Sequence, residues 1–559
     1  MRLGDETKAA AMKTQGWWGE ETLADLYTRN VKTHPERMAV VDPLNRKEID
    51  GFTPRRLSYR ALDEEIARAE RKFAALDLQP GDIIALQLAN TVEQVILFLA
   101  AMRRGLVVSP FAIQWREHEL RDVLAFVQAK AIITAPKIRE FAHGEMLAAL
   151  QGDLPTLKHV LVLGSDTDPK MPNIAAYETL PETETSAPDL NANNAVTICW
   201  TSGTEARPKG VPRHHNHWIS AGIASVDAAK LEHGSVILNP FPFINMAAIG
   251  GSFVPWLLTA GTLVQHHPFD LPTFLKQIPH EKVNYTVAPP AVLTMLLSEK
   301  ALLASLDLSS LKSMGSGSAP LPPHMVKTWQ EKYNLPIVNI FGSNEGTCLF
   351  SGVDDVPDPE ERARYFPRFG RSNISWPARI AERIETKLVD LATGEEITEP
   401  ERPGELLLRG ATLFEGYFRS GEAGAPDTPF DENGFFKTGD VFQIAGPENR
   451  FYQFVERAKD IIIRGGMNIS PTELDVLLAA HPDVAEAAVF GMPDPVMGER
   501  ICAVIVSKSE VPPTLDAINT WLKAEGIATY KLPEKLILVD SLPRNPLGKV
   551  LRRELAKAV

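Results

Sequence analysis

The chain is poor in cysteine: Cys199, Cys348 and Cys502 are the three it has in 559 residues. They lie far apart and form no CxxC pair, which excludes a disulfide framework and a zinc ribbon, and each is read as a small buried residue. Long apolar runs are missing too. The uncharged stretch from Ala247 to Val264 is broken by Gly, Pro, Ser and Thr, and the N-terminal MRLGDETKAAAMKTQGWW mixes charges of both signs with no apolar signal core. A soluble cytoplasmic protein with no integral membrane association is the expectation. Positive charge is in deficit, with a formal net charge of −13. A chain of that sign repels nucleic acid and anionic membranes, so no nucleic-acid partner is expected, and any anionic substrate must be met by local cations. Internal repeats and low-complexity tracts are absent.

What is present is ample apolar material, 44% of residues, in a chain longer than one core usually organises, so two or more domains are expected. Between Leu57 and Gly105 the pattern reads helix, strand, helix: LSYRALDEEIARAERKFAAL has helical periodicity, DIIALQLA is a short apolar run, and TVEQVILFLAAMRR is helical again. Short β-prone runs recur at Ala131–Ala135, Val160–Leu163, Val196–Trp200, Val236–Leu238, Tyr285–Ala288 and Ile337–Ile340 and are read as buried strands. This alternation predicts a layered α/β fold. From about Asp354, denser Pro, Gly and charge predict a β-rich subdomain. The last hundred residues, with a helix near Pro471, the runs VAEAAVFGM and ICAVIVSK, a helix at LDAINTWLKAEG and the strand KLILVD, suffice for a small α+β domain.

Chemistry is concentrated first in TICWTSGTEARPKGV, Thr197 to Val211, where a β-prone run opens into a loop of small hydroxyl residues and glycine. Glycine lets main-chain N–H groups approach phosphate oxygens, Thr201, Ser202 and Thr204 offer hydroxyls, and Lys209 supplies positive charge. The Walker pattern GxxxxGK[ST] is absent, and an isolated stretch of this kind is equally well read as a flexible surface turn.

Further segments follow in order. Phe341, Gly342, Ser343, Asn344 and Glu345 form one, GSGSAPLP from Gly315 to Pro322 precedes it, FFKTGD ends in Asp440, ERAKD contains Arg457 and Lys459, RGGMNISPTELD follows, and LPRNPLGKVLRREL contains Lys549. Taken singly, each passes for a turn or a solvated charge. As an ordered set from about Leu57 to Arg553 they resemble the ANL superfamily of adenylate-forming enzymes: acyl- and aryl-CoA synthetases, peptide-synthetase adenylation domains and beetle luciferase. The family phosphate loop reads close to TSGTTGxPKG and a later segment close to YGxTE.

The resemblance implies a large N-terminal AMP-binding domain over residues 1–456, a hinge at 457–460 about Lys459, and a small mobile C-terminal domain over 461–559. For ATP it implies Thr201, Ser202, Gly203, Thr204 and Lys209 at the phosphates. Gly317, Ser318, Ala319, Pro320, Asn339, Phe341, Gly342, Ser343 and Asn344 would surround the nucleotide, and Asp440 with Arg457 would take the ribose. Glu345 would hold the ATP-bound magnesium. Lys549 would reach the substrate carboxylate and α-phosphate, completing a catalytic set with Glu345 and Thr204. Gly465, Gly466, Met467 and Lys531 would meet coenzyme A, and Phe243, Asn245, Met246, Ala248, Ile249, Gly250 and Gly315 would line an acyl pocket.

The implied activity is ATP-dependent carboxylic acid:CoA ligation through an acyl-adenylate, with ATP, magnesium and coenzyme A as cofactors. The substrate would be an apolar aliphatic, alicyclic or aryl carboxylate, and a homodimer is a possible assembly. NPFPFINMAAIGG, from Asn239, carries no acid to meet an ammonium, which argues against a free α-amino acid. The chain departs from the family pattern at Glu205 and Ala206, where Thr and Gly are usual, at Asn344 in place of Thr, and at Asn245 where many members have His. Two other readings stand beside the first: a stand-alone enzyme loading a carrier protein, and a catalytically silent ligand-binding relative.

Overall fold

The computed structural model describes residues 6–164, 174–184, 186, 188–201, 208–419, 429–458, 460–464, 467–494, 497–525, 527, 529–544 and 550–557. The chain divides into two compact units, residues 1–386 with 408–436, and residues 387–407 with 437–559.

The first unit is built on two mostly parallel sheets with helices between strands. Among the described residues, one has eight strands in the order Cys348–Ser351, Ile337–Gly342, Ser313–Gly317, Tyr285–Val287, Val236–Asn239, Thr262–Gln265, Met38–Val41 and Arg56–Ser58. The other has seven: Ala175–Ala176, His159–Val162, Ala131–Thr134, Ile83–Gln87, Val107–Pro110, Ala195–Trp200 and Gly210–His214. Every short β-prone run singled out in the sequence falls on one of these strands. They are continuously apolar because both faces are covered, as parallel sheets require. The helix–strand–helix expectation at Leu57–Gly105 is met by Tyr59–Ala75, Ile83–Gln87 and Val92–Arg103. Ser58 starts the first helix by accepting from Ala61 N. The second is apolar all round, with Val95 to Met102 wholly buried, so it lies inside the unit.

The second unit holds a sheet of Met467–Ile469, Ile462–Arg464, Gly498–Ser507 and Val484–Asp494, with Lys535–Leu538 pairing parallel to Gly498–Ser507. Helices Pro471–Ala479 and Leu515–Ala524 bury Leu474, Leu478, Ile518 and Leu522 against Val489, Ile501, Ala503 and Ile505. The strands Phe436–Ala445 and Phe451–Arg457 pair antiparallel, which sets Asp440 opposite Arg457. All three cysteines are free and buried. Among the described residues no helix is long and apolar enough to cross a membrane.

Candidate active site

Strand Ala195–Trp200 is buried along its whole length and pairs antiparallel with Gly210–His214. Thr201 N donates to Lys209 O at 3.0 Å and Lys209 N donates to Thr201 Oγ1 at 3.1 Å, closing the base of the glycine-containing loop. Ser202, Gly203, Thr204, Glu205 and Ala206 lie outside the described residues. The Lys209 ammonium stands 5.1 Å from the centre of the Tyr417 ring, a cation–π distance.

Strand Ile337–Gly342 leads into a tight turn before Cys348–Ser351. Ser343 N donates to Thr347 O, and Gly346 N donates to Ser343 O. Gly346 has φ +113°, and a Cβ there would sit 2.0 Å from Thr412 O, so only glycine fits. The turn is tied to the 410–418 segment from both sides: Phe414 N donates to Glu345 O at 2.9 Å, and the Tyr417 hydroxyl donates to Glu345 Oε1 at 3.0 Å. Burial, reinforced by the neighbouring Glu345, pushes the Tyr417 hydroxyl well above its ordinary range, so it stays a donor. Among the described residues this hydroxyl is the one hydrogen-bond donor to the Glu345 side chain, which leaves carboxylate oxygen capacity of the kind magnesium prefers.

Asn344 spans three elements. Its Oδ1 accepts from Met246 N at 2.9 Å, its Nδ2 donates to Trp200 O at 2.9 Å, and its carbonyl accepts from Arg213 at 2.9 Å. Through these bonds the departure from the family pattern at this position is structurally integrated. Phe341 packs near Phe366, with ring centres 5.8 Å apart. In the neighbouring parallel strand a Cβ on Gly317 would meet Ile340 O at 2.1 Å, so the glycine permits close strand approach, and Ser318, Ala319 and Pro320 beyond it are exposed. The Asn339 amide is turned away from that rim and donates to the carbonyls of Arg362 and Ala363.

The expected acyl-pocket residues sit on one short stretch. Asn245 starts a helical turn by accepting from Ala248 N, and the helix passes through a π-helical segment at Ile249–Phe253, a wide turn often found at functional sites. Phe243 is buried edge-on between Phe98 and Phe253, and Ala248 and Ile249 are buried as well. A Cβ on Gly250 would come within 2.5 Å of Met246 Sδ, and one on Gly315 within 2.6 Å of the Tyr285 hydroxyl and Ile340 Cδ1. The space beside Gly315 is therefore filled by strand-to-strand packing.

In the second unit Asp440 is buried to 4% exposure and its Oδ1 lies 2.8 Å from Arg457 Nε. Thr438 Oγ1 accepts from Asp440 N within the strand Phe436–Ala445. Lys531 reaches both oxygens of Glu473, at 2.9 and 2.7 Å. Met467 opens the strand Met467–Ile469. Lys459, Gly465, Gly466 and Lys549 lie outside the described residues.

Two residues of the first unit's site were not singled out in the sequence. Tyr417 belongs to TLFEGYF, whose Gly-aromatic texture was the available signal. Arg213 is wholly buried, donates to the carbonyls of Asn344, His217 and Thr412, and covers the Trp218 ring at 4.4 Å. Burial lowers its pKa to about 10, and three carbonyls take its terminal N–H groups in place of a carboxylate, while its Nε is buried without a hydrogen bond.

A family model described as AMP-binding enzyme matches residues 27–418, and one described as AMP-binding enzyme C-terminal domain matches residues 473–549. The medium-chain fatty-acid–CoA ligase of Escherichia coli (strain K12) is 28% identical over 99% of this chain and 93% of its own length. The salicyl-AMP ligase / salicyl-S-ArCP synthetase of Mycobacterium tuberculosis (strain ATCC 25618 / H37Rv) is 27% identical over 98% of this chain and 93% of its own. The crystal structure of ATP-bound MatB from Rhodopseudomonas palustris superposes with a TM-score of 0.78 at 24% identity, over 96% of this chain and 98% of that one, a likeness of fold.

Proposed function

Because the chain belongs to the AMP-binding enzyme family of the adenylate-forming superfamily, we propose that it joins an apolar aliphatic, alicyclic or aryl carboxylic acid to coenzyme A in two steps. The observation that carries this reading is the convergence of Glu345 and Lys209 on Tyr417 at the base of the Thr201–Lys209 loop. A carboxylate and a cation held beside a glycine-containing loop suit a magnesium-bound nucleoside triphosphate.

A carboxylic acid with a pKa of about 4 is already ionised at neutral pH, so its attack needs no general base. Its oxygen bonds to the α-phosphorus, the bridging P–O bond breaks, and pyrophosphate leaves with the electron pair. Lys209 and the hydroxyl and main-chain donors of the loop neutralise the triphosphate, and Lys549 neutralises the carboxylate and α-phosphate. Magnesium, when bound at Glu345, supplies positive charge against the departing pyrophosphate. Asp440 and Arg457 take the ribose hydroxyls. In the second step the thiolate sulfur bonds to the acyl carbon and AMP leaves with the C–O electron pair. For this step we assign Gly465, Gly466, Met467 and Lys531 to coenzyme A, with a hinge about Lys459 exchanging the two half-reactions.

A second reading is favoured by the named activity of the Mycobacterium tuberculosis relative: delivery of the acyl group to a carrier-protein thiol. Acid-dependent pyrophosphate release across a panel of carboxylates, with coenzyme A present and absent, separates the cases. Release with acyl-CoA formation is expected. Release that never yields acyl-CoA favours the carrier, and no release with any acid overturns adenylation.

A further inference from the structure

The helix His215–Ala229 begins unusually, with histidines where small hydroxyl or carboxylate side chains commonly cap. His214 Nδ1 accepts from His217 N at 3.2 Å, and His217 Nδ1 accepts from His214 N at 3.3 Å. Both rings are fully buried, which holds their pKa values well below the usual histidine range and keeps them neutral. A neutral imidazole that accepts at Nδ1 carries its proton on Nε2. Two Nε2–H donors are thereby fixed, and neither has a hydrogen-bond partner.

They share their surroundings with Glu415. Its Oε1 is likewise buried and without a hydrogen bond and lies 3.6 Å from His217 Nε2, and one ring nitrogen of each histidine and a Glu415 carboxylate oxygen lie within 4.8 Å of one another. Its Oε2 takes Lys8 Nζ at 2.9 Å. Trp18 roofs the cluster edge-on, 4.6 and 5.4 Å from the two imidazoles, and donates to Ala411 O at 3.0 Å. Lys8 and Trp18 precede the span matched by the family model.

The spacing alone would admit a metal ion. Two features oppose it. A metal takes an imidazole lone pair while the ring's other nitrogen donates, and here the other nitrogens accept. The rings are also stacked 3.4 Å apart and 13° from parallel, so in-plane lone pairs would run side by side instead of converging. One water accepting from both Nε2–H groups and donating to Glu415 Oε1 would satisfy all three atoms.

We propose that His214, His217 and Glu415 form a metal-free clamp, closed by Lys8 and Trp18, that holds the Phe414–Tyr417 turn and so aims Tyr417 at Glu345. They are positioning residues for the magnesium-dependent step, and the functional part of the inference rests on the adenylation reading of Glu345.

Two measurements on the intact protein need no activity. Nitrogen-15 NMR of histidine-labelled protein, with His214→Asn and His217→Asn for assignment, is expected to find both rings as neutral Nε2–H tautomers. Elemental analysis after dialysis is expected to find no stoichiometric transition metal. One zinc per chain, or Nδ1–H tautomers, overturns the clamp whether or not any acid is adenylated. The kinetic arm separates capping from clamping. Asparagine reproduces the Nδ1 acceptor and removes the distal donor, whereas glutamine keeps the distal donor. His217→Asn is expected to raise the magnesium concentration for half-maximal pyrophosphate release about fivefold, with KM for the carboxylate and the melting temperature nearly unchanged, and His217→Gln to restore the magnesium response at some cost in stability. A wild-type magnesium response in both His217→Asn and His214→Asn overturns the link to Glu345.

Discussion

The Tyr417 hydroxyl donates to Glu345 Oε1 at 3.0 Å while the same ring lies under Lys209 Nζ at 5.1 Å. One aromatic side chain thus orients an anion and a cation. Tyr417→Phe keeps the ring and deletes the donor. It is expected to raise the magnesium requirement roughly ten- to a hundredfold, the effect of one lost hydrogen bond to a charged group, while Tyr417→Ala should also raise KM for ATP. Steady-state rates titrated separately in magnesium and ATP check both.

Asn344 joins the strand leading into the phosphate loop to the start of the Met246 helix. Asn344→Ala strands Met246 N and Trp200 O and is expected to cost about 1–3 kcal/mol. Asn344→Asp keeps the acceptor for Met246 N, loses the donor to Trp200 O, and should fall between wild type and Ala. Denaturant melts order the three, and KM for the carboxylate should rise in the same order.

Lys549 is assigned to the first half-reaction alone. Lys549→Ala is expected to abolish acid-dependent pyrophosphate release yet retain thioester formation from supplied acyl-adenylate and coenzyme A. Equal loss of both would refute the division.

Gly346 and Gly434 both have positive φ, +113° and +75°, but a Cβ meets Thr412 O at 2.0 Å only at the first and open space at the second. Gly434→Ala should cost about 1 kcal/mol from backbone strain. Gly346→Ala should cost several times more and weaken magnesium binding, because the Glu345 turn must move. Calorimetric melting of the two variants makes the comparison.

Asp355 supplies a pH dependence. Burial, helped by Asp354 and Asp227, pushes its carboxyl up to about 6 against an accepted bond from Ala378 N. Its folded pKa exceeds its unfolded one, so the folded state binds more protons, and stability is lost as pH rises from about 4 through 6. Asp355→Asn keeps an acceptor for Ala378 N and removes the charge. Its stability relative to wild type should therefore grow over that interval, by on the order of 1 to 3 kcal/mol at pH 8. Melting temperatures at pH 4 and 8 test the sign.

Much of the architecture was legible because apolar periodicity is local. The runs at Ala131–Ala135, Val196–Trp200 and Tyr285–Ala288 are buried on both faces, and a strand of that kind announces itself within a few residues. The ordered segments around Thr201 and Glu345 were legible for a related reason: glycine, hydroxyl and carboxylate side chains stand just past strand ends, where main chain and ligand must approach. Partnerships across the chain were not. Tyr417 and Glu345 are 72 positions apart and Arg213 and Thr412 are 199 apart, and no pattern around either member of a pair points to the other.

The sequence by itself determined that this is a layered α/β chain of the adenylate-forming kind with a smaller α+β unit after it, because burial pattern and small-residue turns are written residue by residue. Only the tertiary structure decided that Asn344 bridges Trp200 and Met246, that Asn339 turns to the Arg362 and Ala363 carbonyls, and that two capping histidines cluster with Glu415. Those choices depend on which strands the sheet order makes neighbours and on which buried donors and acceptors must then find one another.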